Sequence, residues 1–279
     1  MSSVLQHMRN SRGGRRWAQI GVALCLALGG WTSVSAQPED LTGGDPMGSM
    51  QWPSLHKEFL GGQPFVFDAR VAISGPRFAE DAQAVPIQMD GSALLKDKFE
   101  IRHMLVLVDR NPIRRVLDFE PVHVQPRLSF RFKLEQSSPV RVAVQDQNGL
   151  WHVNSVLVEA TGGGCTVSGA SRKDGSWSQT LNQVQSRFFQ TIPGATGSRL
   201  RLRIMHPMDT GLVPGTPGLY LERLELRDSQ GQLLWALHPF EPVAENPIFS
   251  FDFYALPAGW LELTGVDNNG NRLKEGLAP

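Results

Sequence analysis

The chain has 279 residues, and 27 basic side chains balance 27 acidic ones to a formal net charge of zero. That balance argues against a nucleic-acid binder, which carries a basic surplus. Only 19% of residues are charged, while 28 Gly and 19 Pro punctuate the chain, so the expected class is all-β, with many short segments between turns.

Residues 1–36 read as a secretory signal. Arg9, Arg12, Arg15 and Arg16 make a basic start, "WAQIGVALCLALGGW" a short apolar core, and "SVSA", ending at Ala36, a small-residue cleavage pattern. The apolar run is short for a membrane span of about 20 residues, so no stable membrane insertion is expected after its removal. "RRW" is compatible with twin-arginine as well as general export. Cleavage removes Cys25 and leaves Cys165 as the single thiol in an oxidising compartment.

Residues 37–51 are polar and rich in Gly and Pro, and read as a flexible tether. "WPSLHKEFLGG" (52–62) has apolar residues near helical spacing and a glycine stop. Seven short β-branched or aromatic segments follow, at 65–74, 85–91, 99–109, 114–121, 127–135, 139–146 and 150–160. They predict a first sandwich of immunoglobulin type over 52–160. Residues 161–198 hold seven glycines and many Ser, Thr and Gln, and read as a cysteine arm and linker in which "LNQVQSRFF" forms a short helix on Leu181, Val184 and Phe188. Five more strand-like segments between 201 and 270 predict a second sandwich over 199–279.

The two strand-rich regions are related. "FEPVHVQPRLSFRF" from Phe119 returns as "FEPVAENPIFSFDF" from Phe240, and the same spacing carries Asp146, Asn148 and Gly149 onto Asp267, Asn269 and Gly270. Two copies of one fold in one chain are implied. The repeated residues read as structural: Phe130 and Phe132 share one face of a strand, and "D-x-N-G" is turn chemistry. The copies differ at their ends, "TGGGC" in the first and "GLAP" in the second.

Cys165 follows Gly162, Gly163 and Gly164, an odd setting for a packing cysteine. An accidental free thiol and an intermolecular disulfide are the other bland readings. No basic residue adjoins it; Arg172 and Lys173 come seven and eight positions later. The glycines open conformations closed to other residues, and Thr161 to Cys165 could span at most about 17 Å. An exposed thiol has a pKa near 8.5, so activation would fall largely to a partner. No Ser/His/Asp spacing, H-E-x-x-H, cysteine cluster or phosphate loop is present, so the chain does not read as an enzyme. Met205, His206 and Met208 in "MHPM" are soft ligands of the kind copper(I) accepts, which gives a copper-binding or metal-delivery alternative. The competing reading of those methionines is packing between the two sandwiches.

The first region resembles SoxY, the cysteine-bearing half of the SoxYZ carrier of bacterial sulfur oxidation, in "RFAEDAQAVPIQM" (77–89), "MLVLVDRNP" (104–112), "LSFRF" and the strand leading into "GGGC". The second resembles SoxZ, in "RLRIMHPMDTGL" (201–212), "NPIFSFDF" and "VDNNGN". The whole is similar to fused SoxYZ-like carriers associated with pyrroloquinoline-quinone dehydrogenases. That resemblance implies two immunoglobulin-like sandwiches, export to the periplasm, and sulfur cargo held covalently on Cys165 with no other cofactor. It implies periplasmic redox enzymes or c-type cytochromes as partners, with a link to a quinoprotein dehydrogenase system. Where the family motif has trailing glycines this chain has Thr166 and Val167, and the arm continues into more chain. A non-catalytic assembly factor for such a dehydrogenase is the reading that needs no thiol.

Overall fold

The computed structural model of the chain describes residues 40–190 and 197–279. The expected signal, with Cys25, lies outside the described residues. In chain order the elements are α1 (Trp52–Phe59), β1 (Phe65–Phe67), β2 (Ala72–Ser74), β3 (Phe78–Ala79), β4 (Val85–Asp90), α2 (Ser92–Leu95), β5 (Ile101–Val108), β6 (Arg115–Glu120), β7 (Arg127–Phe132), β8 (Ser138–Asp146) and β9 (Trp151–Ala160). Then come α3 (Ala170–Asp174), α4 (Trp177–Thr180), β10 (Val184–Gln190), β11 (Ser198–Ile204), β12 (Leu221–Arg227), β13 (Leu233–Pro239), β14 (Ile248–Phe253), β15 (Leu261–Asp267) and β16 (Arg272–Leu277). The protein is all-β, as the composition predicts.

The strands form two sheets packed face to face. The larger runs β1-β9-β8-β5-β6-β13-β12-β15-β16 with β3 beside β9, and the smaller runs β10-β11-β14-β7-β4-β2. Both continue from the first copy of the repeat into the second without a break. In the large sheet β6 pairs antiparallel with β13, Asp118 opposite His238 and Leu117 opposite Pro239. In the small sheet β7 pairs antiparallel with β14, and Ser129 lies opposite Ser250, its own repeat equivalent. A residue paired with its equivalent sits on a two-fold axis. The copies are therefore joined as the two subunits of an isologous dimer would be, within one chain. The two expected sandwiches share both sheets.

The core follows from period-2 alternation. Met104, Val106 and Val108 of β5, Leu128, Phe130 and Phe132 of β7, and Phe249, Phe251 and Phe253 of β14 enter one buried cluster. Trp235 stacks on Phe251 across the sheets, ring centroids 4.0 Å apart and planes 9° from parallel. The turns of the "D-x-N-G" repeat are equal in detail. Asp146 accepts the N–H groups of Asn148 (2.8 Å) and Leu150 (3.0 Å), and Asp267 those of Asn269 (2.9 Å) and Asn271 (2.8 Å).

In the first copy the outer face of the large sheet is covered as well. Trp52, Leu55 and Leu60 from α1 and its end pack on Leu105, Leu107, Ala143 and Val153, which is why β5 reads as the unbroken apolar run "MLVLV". Under the helix lies Arg141, 0% exposed, bonded to Asp45 (2.7 and 2.9 Å) and Asp109 (2.6 and 2.7 Å) and seated over the Trp52 ring. Ser49 donates to Asp109 too.

Three expectations need correction. Residues 40–51 are not a loose tether. They form turns fastened by the burial of Asp45 and Ser49 at Arg141, a partner 96 positions away from Asp45. Residues 161–198 are not a plain linker, since they contain α3, α4 and the whole of β10. From Val184 on, "LNQVQSRFF" is strand rather than helix: Val184 and Phe188 pack partly buried against the core, opposite Ile204 and Leu200 of β11. Pairing with an apolar neighbour strand overrides a helical spacing based on three residues.

Candidate functional site around Cys165

β9 ends at Ala160, and the chain turns back over the residues that follow β7. Gly162 (φ 105°) and Gly163 (φ 83°) stand in the left-handed region that favours glycine. Gly164 serves a different purpose. A Cβ there would lie 2.3 Å from the Ala82 carbonyl oxygen and 2.5 Å from that of Leu134, so this glycine permits a close backbone approach. Its expected part in arm flexibility is corrected accordingly: it is a packing glycine.

That approach seats Cys165 in the seam between the copies, 1% exposed. Its N–H donates to Glu135 Oε2 (2.8 Å), and its thiol faces the Lys133 carbonyl at 3.7 Å. Thr166 donates its hydroxyl to Glu135 Oε1 (3.0 Å). From the second copy, Thr210 donates its hydroxyl to the Cys165 carbonyl (2.7 Å). Burial pushes the thiol up to about 12; the Lys133 ammonium pulls it down and Glu135 adds to the rise. Seated in this way, the sulfur is a protonated thiol and a poor nucleophile. The expectation of an exposed cysteine does not hold for this conformation.

Lys133 is the second buried group, 5% exposed. Its ammonium donates to the carbonyls of Met208 and Glu241. Burial brings it down to about 8, with Cys165 and three carboxylates opposing. Asn111 ties the floor together, donating to the Lys133 carbonyl and accepting the Glu135 N–H, both at 2.8 Å.

The "HPMDTG" loop is therefore the lid of the cysteine's seat. Met208 is held at φ 49°, a left-handed conformation unusual for its side chain, and its buried sulfur accepts the Leu221 N–H at 3.4 Å. His206 is buried, with Nδ1 accepting the Met208 N–H (3.2 Å) and Nε2 facing Asp267 (3.5 Å). Burial brings the imidazole down to about 4 against the pull of Asp267. Both ring nitrogens of the copper candidate are thus engaged, and the Met208 sulfur is spent on a backbone amide; Met205 is half-buried beside them. Among the described residues no group of three or more His, Cys, Asp or Glu could hold a metal ion. Arg172 pairs with Asp209 (2.5 Å) and stacks on Trp177, so this sequence neighbour is spent elsewhere.

The sequence reading missed Lys133, Glu135 and Thr210. Lys133 carried a signal: it directly follows the repeated strand "LSFRF", where the other copy has Tyr254.

With the geometry in place, comparison with known proteins adds one family. Residues 56–165 match the profile of the family described as "Sulfur oxidation protein SoxY". The match ends on Cys165. Among solved structures, the sulfur carrier protein SoxY from Chlorobium limicola f thiosulfatophilum is similar at 18% identity and a TM-score of 0.34, over 39% of this chain and 90% of that one. No curated protein matches the chain. Among the described residues, no helix is long and apolar enough to cross a membrane.

Proposed function

We propose that the chain is a covalent carrier of sulfur intermediates, with Cys165 as the attachment point and the second copy as a built-in SoxZ-like partner. The observation that carries this reading is that the SoxY match ends on the cysteine, which stands beyond two left-handed glycines and not inside a strand. The seated thiol is the stored form. Loading requires the segment from Gly162 through Thr166 to lift off Glu135 and Thr210, after which the sulfur regains an ordinary thiol pKa near 8.5. Conjugation to a sulfur anion such as thiosulfate forms one S–S bond and releases the thiol proton and two electrons. A periplasmic redox partner, a c-type cytochrome or a quinoprotein dehydrogenase system, takes the electrons. Export to the periplasm follows from residues 1–36 read as a signal.

A second reading is favoured by the burial itself. A cysteine 1% exposed is what a non-catalytic assembly factor, with no use for its thiol, would also carry. The copper alternative loses support because His206 and Met208 have other partners. Intact-mass measurement of protein from the periplasm of its host, with and without reductant, separates the first two. The carrier reading expects a reductant-sensitive adduct that Cys165→Ser abolishes. A bare mass, with full function of Cys165→Ser in the host, selects the assembly factor.

A further inference from the structure

The outer face of the small sheet holds charges that folding does not explain. Residues directly opposite in a sheet point to the same side, so the strand registers give this face in three rows. In the row farthest from Cys165, Arg199 lies opposite Asp252, and Arg127 opposite Asp90. All four are paired: Arg199 binds Asp252 at 2.6 and 2.9 Å, and Arg127 binds Asp90 and reaches Asp252 at 3.4 Å. In the middle row Arg187 lies opposite Arg201, and Arg201 opposite Ser250. In the nearest row Arg203 lies opposite Ile248, and Arg131 lies opposite Pro86.

Arg131, Arg187, Arg201 and Arg203 are exposed, and none has an acidic partner among the described residues. Arg187 only covers the Phe189 ring. Like charges directly opposite in a sheet destabilise it, so Arg187 beside Arg201 is a cost to the fold. Three of the four are in the second copy, and repeat-equivalent positions in the first differ. Arg201 corresponds to Gln88, because they pair with the equivalent serines Ser250 and Ser129.

Arg131 and Arg201, with the paired Arg199, line a groove of about 570 Å³ that crosses the two-fold junction, with Pro86, Phe189 and Ile248 along it. Arg203 stands two residues from Arg201 on the same strand face, and Arg187 directly opposite Arg201. Its basic end leads to the cysteine. Two residues beyond Arg131 is Lys133, whose carbonyl faces the thiol, and past Arg203 the chain enters the loop that carries Thr210. Glu80 and Asp81 border Arg131 on the far side, so the basic centre is Arg201 with Arg203.

We propose that this groove and the basic sheet face beside it dock the acidic surface of a partner protein, with Arg201 in the groove and Arg203 on the adjoining face as the main contacts. A nucleic acid fits less well: the site offers four free arginines, against roughly 6–10 phosphate contacts in proteins that bind duplex strongly, and its floor is apolar without an aromatic stacking row. That the partner is one that services Cys165 rests on the carrier reading; the docking itself does not.

The test uses the chain over residues 37–279, the form left after signal removal, and a fluorescent twelve-residue peptide rich in Asp and Glu, with binding read by anisotropy at low and high salt. The wild type should bind at low salt and weaken as salt rises. Arg201→Glu with Arg203→Glu should lose about tenfold or more, from rim charges that steer and hold. Arg272→Glu, on the edge of the other sheet, should change little, and Cys165→Ser should bind as the wild type does. Arg201→Gln guards against misfolding: it should weaken binding yet raise the melting temperature by relieving Arg187. No peptide binding, equal loss in Arg272→Glu, or tighter binding of a single-stranded oligonucleotide than of the peptide would overturn the proposal. Loss of the cysteine adduct with docking intact would overturn only the carrier reading.

Discussion

The two copies share seven strands, both sheet orders and the same Asp-anchored turn, yet their outer surfaces have diverged. The first copy buries the outside of its large sheet under α1 and closes it with Arg141 between Asp45 and Asp109. The second leaves that face open, with surface pairs such as Lys274 with Glu262 and Arg227 with Glu225. On the small sheet the order reverses: the second copy carries three of the four free arginines, and where it has Arg199 and Arg201 the first has Pro86 and Gln88. A repeated core constrains what faces inward and leaves the outside free to specialise. Here one copy holds the cysteine, and the other supplies the loop over it.

The comparison breaks most sharply at one repeat-equivalent pair, Arg141 and Glu262. Arg141→Met leaves two carboxylates buried without a counter-charge and should cost about 3–5 kcal/mol. Glu262→Ala, on the open face, should stay within about 0.5 kcal/mol. Urea unfolding of both variants measures the contrast; equal effects would mean that the covered face is not a rigid part of the first copy. Next is Gly164→Ala. Its Cβ would strike backbone at 2.3–2.6 Å, and such overpacking costs about 1–3 kcal/mol. Reaction of the thiol with a disulfide reagent in native buffer should speed up, because the misfit falls on the cysteine's seat.

Thr210→Val tests the lid contributed by the second copy. The variant loses the bond to the Cys165 carbonyl and the one accepted from the Leu212 N–H within the lid loop. The first, worth about 1 kcal/mol, should raise thiol reactivity roughly fivefold, and the second lies within the lid itself. Solution pH acts on the same seat. The seated thiol titrates near 12, above its unfolded value near 8.5, so its contribution to closure is complete below the unfolded value and declines as pH rises through that window. Hydrogen exchange at the Cys165 amide should speed up beyond its intrinsic base catalysis between pH 8 and 10, and Cys165→Ser should remove the excess. His206 acts at the other end. Its folded value near 4 lies below the usual histidine range, so its contribution is present above that range and is lost as pH falls toward 4. The lid loop should loosen in acid.

Most strands were legible because alternation and turn residues are local signals, and the repeat made the second copy readable from the first. The failures share one cause, partners distant in sequence. Asp45 looks like a polar loop residue until Arg141 meets it. Val184 to Gln190 takes strand form from β11, which local spacing does not encode. The segment at 65–74 holds β1 and β2, which go to different sheets. At the site, Cys165 and its glycines stood out as composition, whereas Lys133, Glu135 and Thr210 are neighbours only through the fold. Gly164 signals freedom in the sequence and is a close contact in the fold, a distinction that needs the opposing backbone.

The pairing of β6 with β13 and β7 with β14 has a consequence for mass action. Were the copies separate chains, their association would depend on concentration, and dilution would part the thiol from its lid. In one polypeptide the partner is always present at the high effective concentration of a tethered segment. The ratio of cysteine to lid is then fixed at one to one by synthesis, however little of the protein is made.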